Sequence, residues 1–160
     1  MGLQTTVNNS PAVAVSGDVV ILGQSVYTPK NYMSDGNVKA GTFAFAPAAA
    51  TTFPDNVKTE YVTNKGSTVI GFVERTFTTS LAASGDTYPQ GAGLTIAIRG
   101  DYYLKAPAGT TPTAGYKVIT TDATGAISFA ASASTGETDT GWTVTEGGSA
   151  GDLIVISNHG

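Results

Sequence analysis

The 160-residue chain contains no cysteine, and its single histidine, His159, is the second-last residue. Without thiols, the sequence excludes disulfides, thiolate metal sites and cysteine catalysis. Only 12% of the residues are charged, about half of the roughly 25% that is usual in globular proteins. Charge this sparse is typical of a surface that protein partners cover. The few lysines and arginines form no basic stripe, so we expect no direct nucleic acid partner.

Long apolar runs are also missing from the sequence. The longest, such as Val19–Leu22 and Phe43–Ala50, fall well short of the roughly 20 residues that cross a bilayer. Residues 1–9 have neither the basic start nor the apolar core of a secretory signal. We therefore expect no membrane partner.

Runs typical of β-strands, separated by Gly, Asp and Pro, cover most of the chain, and no window supports a helix of three turns. The strongest run is Thr68–Phe77, where alternation predicts Ile70 and Phe72 on one face and Val69 and Val73 on the other. A glycine inside a strand indicates a bulge or a close backbone approach, and Gly71 holds that position.

Further along the chain, alternation in 94–99 predicts Leu94, Ile96 and Ile98 inward, with Ala97 among the outward residues. Gly100-Asp101 is expected to bend the chain after this run. Tyr116–Thr121 and Ala126–Phe129 are predicted to form a hairpin around the loop at 122–125. The last strands are predicted at Trp142–Thr145 and Leu153–Ser157, after a loop at 131–141.

Other segments indicate edges and connections rather than central strands. Pro29 demotes Ser25–Tyr32 to an edge strand or loop, and residues 46–66 are expected to hold at most one short strand, at Glu60–Thr63. Short strands with frequent turn signals favour an all-β fold, a small β-barrel or sandwich. We expect an extended N-terminal arm over residues 1–16 and a single β-domain over residues 17–160.

Side chains suited to catalysis are few. His159 lies in a terminal tail, and most aspartates adjoin turns, where they bond their own backbone. Glu74 is expected to form a cross-strand or interface ion pair, and Glu137–Asp139 is a poor match to a calcium site. We predict no catalytic, cofactor-binding or metal-binding residue, no cofactor, and a protein that is not an enzyme.

Five segments with structural, glycine-based and turn-based motifs follow one another along the chain: Thr5–Asp18, Gly71–Arg75, Gly93–Lys105, Ala114–Phe129 and Gly141–Ser157. Together they resemble the structural cement, or capsid decoration, proteins of tailed bacteriophages. The resemblance spans nearly the whole chain.

The resemblance implies a small β-domain on the outer face of the virion capsid. There it would bridge major capsid protein subunits, as a homotrimer with arms that reach neighbours. The contacts with the capsid or with other subunits are predicted in the arm and in exposed tyrosines: Val7, Asn9, Pro11, Val13, Val15, Tyr27, Tyr32 and Tyr102.

Two other functions remain open at this stage. A carbohydrate-binding or adhesin-like module would stack sugars on Tyr102, Tyr103 or Trp142, although a lone tryptophan is more often core. Because neighbours in a strand face opposite sides, at most one of the two tyrosines can be buried. A hydrolase that uses Glu74 with a second carboxylate is the third reading.

Overall fold

The computed structural model describes residues 14–20, 24–47, 61–76 and 86–159. Within these residues the chain forms eleven β-strands and no helix, so the all-β prediction is confirmed. No helix of the described residues is long and apolar enough to cross a membrane. The strands are β1 (Val26–Tyr27), β2 (Tyr32–Ser34), β3 (Phe43–Phe45), β4 (Tyr61–Val62), β5 (Val69–Val73), β6 (Gly93–Leu94), β7 (Ile96–Lys105), β8 (Lys117–Thr121), β9 (Ile127–Ala130), β10 (Glu137–Glu146) and β11 (Leu153–Asn158).

Eight of these strands form one curled sheet, and three form a small second sheet. The large sheet has the order β3-β5-β7-β11-β10-β8-β9, with β1 also paired to β7. The ten-residue β7 is the shared strand: its first residues pair with β5 and β1, and its later residues pair with β11. The small sheet has the order β4-β2-β6. This architecture agrees with the predicted barrel or sandwich.

An aromatic cluster fills the curl of the large sheet. The ring of Phe72 on β5 lies 5.6 Å from Trp142 on β10 and 5.3 Å from Tyr102 on β7, between ring centroids. Phe43 packs edge-on against Phe72 at 5.3 Å. Each aromatic pair contributes about 0.5–1.5 kcal/mol beyond the area it buries. The cluster therefore holds together strands that are not hydrogen-bonded neighbours, and the predicted core position of Trp142 is confirmed.

A bulge in β5 changes the predicted alternation of its side chains. Phe72 pairs with Phe43 on β3, but the register then shifts, and Val69 pairs with the residue where Ile70 would be expected. As a result Val69 and Phe72 pack in the aromatic core, whereas Ile70 and Val73 pack in a second apolar cluster. The prediction that Ile70 and Phe72 share a face is wrong, because an inserted residue reverses the alternation.

Strand β7 also departs from a simple inward and outward pattern. Ala97 is fully buried in the aromatic core and Ile96 in the second cluster, while Ile98 is only half-buried. The outward assignment of Ala97 is wrong because apolar clusters cover both faces of this part of the strand. The chain does not leave the sheet at 100–101, since β7 continues unbroken to Lys105.

The predictions for the C-terminal half are largely confirmed. The β8–β9 hairpin forms as expected, and β10 pairs with β11 and β8. Residues 137–141, expected in a loop, belong instead to β10, because they pair with β8. In the connection over 46–66, the described residues form the short strand β4; residues 48–60 lie outside the described part of the chain.

Candidate interaction surface

The described chain begins at a short segment, residues 14–18, that we call the arm root. The Gly17 amide donates a 2.8 Å hydrogen bond to the carbonyl of Tyr103, and the Tyr103 amide donates one of 2.9 Å to the carbonyl of Asp18. On the other side, the Arg75 amide donates a 2.9 Å bond to the carbonyl of Gly17. The arm root therefore lies between β7 and the end of β5 as an additional paired segment.

Ser16 is held from three directions. Its hydroxyl donates to the carbonyl of Gly41 at 3.3 Å and accepts from the amide of Lys105 at 3.2 Å. Its carbonyl accepts from Nε of Arg75 at 3.2 Å. Because these partners come from distant parts of the sequence, their hydrogen bonds fix Ser16 to the β-domain.

The arm root fits its place because of two glycines that meet there. Gly17 has a φ of +93°, and a Cβ at this position would lie 2.8 Å from the amide nitrogen of Gly41. A side chain on Gly41 would in turn overlap Ser16. Glycine is therefore required for both the backbone conformation and the close approach.

Arg75 adds charge to this anchor. Its guanidinium lies 2.7 Å from a carboxylate oxygen of Asp86 and 4.0 Å from one of Asp18, and its side chain is only 18% exposed. Glu74 is expected in a cross-strand or interface ion pair; within the described residues one of its carboxylate oxygens accepts a 2.9 Å hydrogen bond from the hydroxyl of Tyr102. The ion pairs at the end of β5 are those of Arg75 with Asp86 and Asp18.

Replacing the anchoring arginine should loosen the arm root without unfolding the domain. We expect Arg75→Met to lower the free energy of unfolding by about 1–2 kcal/mol, since the bonds it loses are charge-assisted but their carboxylate partners are partly hydrated. Amide exchange at Gly17 should accelerate, which hydrogen-exchange mass spectrometry can measure. Arg99→Met, at an exposed position, is the control. Equal exchange in the two variants would contradict the anchoring role.

Two neighbouring cavities open beside the arm root, and together we call them the Lys105 groove. The first, of about 410 Å³, lies on the side of β11; the second, of about 510 Å³, extends to the start of β9. Ser16, Asp86 and Lys105 line both. The first is also lined by Ala14, Val15, Arg75, Gly151 and Leu153, and the second by residues that include Gly41, Thr42, Pro107, Ala108 and Ile127.

The predicted contact residues lie in different surroundings. Val15 in the arm root and Tyr27 on β1 are each 43% exposed, and beside the tyrosine Val26 is 46% exposed. Tyr32 is half-buried, and the amine of Lys30 lies 5.6 Å from the centre of its ring. The other predicted arm contacts lie outside the described residues: Val7, Asn9, Pro11 and Val13.

Tyr102 is not a surface residue. It is fully buried in the aromatic core, and its hydroxyl bonds Ser25 at 2.8 Å as well as Glu74. Its prediction as a contact is corrected, because the parity of β7 points Tyr102 inward and leaves Tyr103 half-buried on the other face. Burial, with the adjacent Glu74 carboxylate, raises the pKa of Tyr102 far above its ordinary value.

The raised pKa of Tyr102 predicts a loss of stability at alkaline pH. The folded state favours the neutral phenol, so the contribution is complete below the unfolded pKa of about 10 and is lost as the pH rises above it. We expect Tyr102→Phe to lose about 1–2 kcal/mol near neutral pH with its hydrogen bonds. Its stability should then decline less between pH 9 and about 11, as denaturant titrations can show. Tyr103→Phe, the control, should decline like the unmodified protein; a Tyr102→Phe decline equally steep would contradict this assignment.

Another carboxylate is tuned by its neighbours across the β8–β10 pair. Asp139 contacts the amine of Lys117, and one of its oxygens accepts a 2.9 Å bond from the amide of Gly141. Burial opposes ionisation, but the hydrogen bonds from Lys117 and Gly141 outweigh it, so the pKa of Asp139 lies below its usual value. Glu137–Asp139, the segment that matched a calcium site poorly, thus belongs to β10 and pairs with β8.

The remaining chemistry-bearing side chains do not converge. His159 is exposed and bonds Asp101 at 2.9 Å, and the described residues contain no group of three His, Cys, Asp or Glu that could hold a metal ion. Of the three rings considered for sugar stacking, Tyr102 and Trp142 are buried. Tyr103 is half-buried, and the carboxylate of Glu74, considered for hydrolysis, is engaged by the hydroxyl of Tyr102.

Sequence reasoning did not single out Ser16, Gly41 or Arg75 as parts of one site. The residues that bond Ser16 lie 25 to 89 positions away from it in the chain. Only the folded sheet brings them together.

Comparisons with known proteins agree with this fold. The family model described as XM1 gp53 minor capsid protein matches residues 3–158. A chain in the solved structure of the capsid of Myoviridae phage XM1 is similar over 99% of both chains, with a TM-score of 0.67 and 12% sequence identity. At that identity the structural likeness shows a shared fold. No curated protein sequence matches the chain.

Proposed function

Since the chain belongs to the XM1 gp53 minor capsid protein family, a family of virion structural proteins, we propose that it is a cement protein of the phage head. In this proposal it binds the outer face of the capsid, bridges major capsid protein subunits and acts as a homotrimer. The expected resemblance to capsid-associated phage proteins is confirmed by the family match. The position on the shell and the number of copies are part of the proposal.

The observation that carries the proposal is the arm root. Its hydrogen bonds fix the chain at Ser16 and Gly17, and the 13 residues that precede the arm root carry no charged side chain. Fully extended, such a segment spans at most roughly 45 Å. A fixed base with an uncharged segment of that reach suits a tether between subunits, because binding then orders only the segment and not its attachment. We propose that the arm comprises residues 1–13 and that the arm root, residues 14–18, belongs to the β-domain.

Other exposed residues extend the proposed contact surface. Val15 and the Val26–Tyr27 pair present apolar area on a chain with few charges, as interface cores do. We propose contacts from Val15, Tyr27 and the edge of Tyr32, together with the arm residues Val7, Asn9, Pro11 and Val13. Many symmetric copies would make such modest contacts collectively strong.

The mechanism would be stabilisation by mass action. A protein that binds only the expanded shell adds its binding free energy to that state and raises the barrier to rupture. Low charge favours this role, because burying few charged groups limits the desolvation cost of a wide interface.

Co-sedimentation with heads tests the proposed function. Expanded heads that lack this protein would be mixed with the purified chain, whose copy number in solution is measured by native mass spectrometry. We expect a trimer that co-sediments at a fixed ratio and raises the temperature at which the heads rupture. A chain that stays in the supernatant at micromolar concentration would contradict the proposal.

A further inference from the structure

The outer edge of β9 is unpaired within the described residues. β9 is the last strand of the large sheet and bonds only β8. The amide of Thr121 donates to the carbonyl of Ala126, and Ile119 pairs with Ser128. Since hydrogen-bonded pairs alternate along an antiparallel ladder, the backbone groups of Ile127 and Phe129 point away from β8. They present donors and acceptors to an incoming strand.

This edge lacks the usual protection against pairing. Exposed edge strands commonly carry lysine, proline or an inward-pointing charge that blocks another chain. Residues 123–136, which contain β9, include no charged residue and no proline. An edge left open in this way is suited to being covered in the assembled protein.

The Lys105 groove joins the arm root to this edge, and its two cavities are lined by different sets of residues of the root. Its second cavity runs from Ser16 to Ile127 at the start of β9. Ala14 and Val15, however, line only the first cavity, on the side of β11. Ala14, where the described chain begins, therefore lies on the side of the root away from β9 of its own domain.

We propose that residues 1–13 of a neighbouring copy add to β9 as an extra strand and continue into the Lys105 groove. The segment fits this edge chemically: it has no charged side chain, and Leu3–Val7 contains no proline and would place Leu3 and Val7 on the same face of a strand. Main-chain hydrogen bonds would supply the affinity of this pairing, and alternate side chains would fix its register. This inference rests on the proposed function for its setting, since it names the partner of the arm within a multi-copy assembly.

Disulfide trapping in the cysteine-free chain tests which copies pair. Ser128 lies at a non-hydrogen-bonded position toward the new strand, where Cβ atoms approach closely enough for a disulfide. A Ser128→Cys variant would be mixed in solution, under mild oxidation, with tagged Thr5→Cys, Thr6→Cys or Val7→Cys variants. We expect a disulfide-linked heterodimer for at least one of the three, and none when exposed Gln90→Cys replaces Ser128→Cys.

The opposite results would overturn the proposal. The absence of a disulfide in every mixture would overturn it. A disulfide that forms only within one chain, in a variant that carries both cysteines, would also overturn it. The assay needs no heads, so it is independent of co-sedimentation. If heterodimers form but the protein does not bind heads, the cement function is rejected and the strand exchange is supported. If the protein binds heads but forms no heterodimers, the strand exchange is rejected and the cement function is supported.

Amide exchange provides a second test that requires no cysteine. We expect the amides of Ile127 and Phe129 to exchange at least about tenfold faster in a variant that lacks residues 2–13 than in the full chain, because an unpaired edge is open to solvent. Equal exchange in the two proteins would overturn the proposal. Protection that appears only on heads and survives the deletion would also overturn it, and would assign this edge to a shell protein.

Discussion

A variant that lacks residues 2–13 is expected to fold normally and to be lost from phage heads. Every described hydrogen bond of the arm root involves residues from Val15 onward, so this deletion spares the domain. It removes the proposed tether, and with it the multivalent attachment that makes weak contacts strong. We expect at least about a hundredfold loss of apparent affinity in co-sedimentation, while the far-ultraviolet circular dichroism spectrum remains that of the folded β-domain.

The matched control is a longer deletion, of residues 2–16. It also removes Ser16 and its bonds to Gly41, Arg75 and Lys105, so we expect it to lose about 1–3 kcal/mol of stability in addition. The two deletions separate the anchor from the tether. Head binding of the shorter deletion at the affinity of the full chain would refute the role given to the arm.

The second large effect is expected at Gly71, in the middle of β5. A Cβ there would overlap the carbonyl oxygen of Ala97 and lie 2.8 Å from a methyl carbon of Ile96. Both neighbours belong to the central strand β7, so neither can move without disturbing the sheet. We expect Gly71→Val to cost about 3 kcal/mol or more, or to prevent soluble expression, since overpacking a rigid core is strongly destabilising.

Gly93 offers the control for this substitution. It also lies in a strand, β6, but a Cβ on it would meet no atom within 4 Å. Gly93→Val is therefore expected to change the free energy of unfolding by no more than about 0.5 kcal/mol. Chemical denaturation of both variants gives the comparison. Similar midpoints for the two would mean that the close approach at Gly71 does not constrain the fold.

The parts of the fold that the sequence predicted well are those set by neighbouring residues. The β8–β9 hairpin follows from two apolar runs around a short loop, and the last strand from five consecutive residues typical of strands at 153–157. The prediction of a bulge or a close backbone approach at Gly71 was also local, because it rests on a single glycine inside a strand. Signals of this kind need no knowledge of what lies across the sheet.

The parts that were missed depend on distant partners. The bulge at Ile70 is defined only by its pairing with β3, and the burial of Ala97 only by apolar clusters on both faces of β7. Residues 137–141 have few apolar side chains and become a strand because β8 lies beside them. Alternation along the strand predicts that only one of Tyr102 and Tyr103 is buried, but the packing of the sheet determines which of the two it is.

The candidate site shows the same division. The N-terminal arm over residues 1–16 stays a prediction, while Val15 and Tyr27, predicted as contacts, are exposed in the folded chain. The anchor that gives the arm its base could not be inferred, because Ser16, Gly41 and Arg75 meet only in the finished sheet. The open edge of β9 was equally hidden, since a strand becomes an edge only through the order of all the others.

Cryo-electron microscopy of heads assembled with and without this protein tests the central claim most directly. The account predicts additional density on the outer face of the shell, in contact with neighbouring major capsid subunits, into which this β-domain fits with its arm root toward an adjacent copy. Additional density inside the shell or on the tail, or a head surface identical in the two preparations, would contradict it.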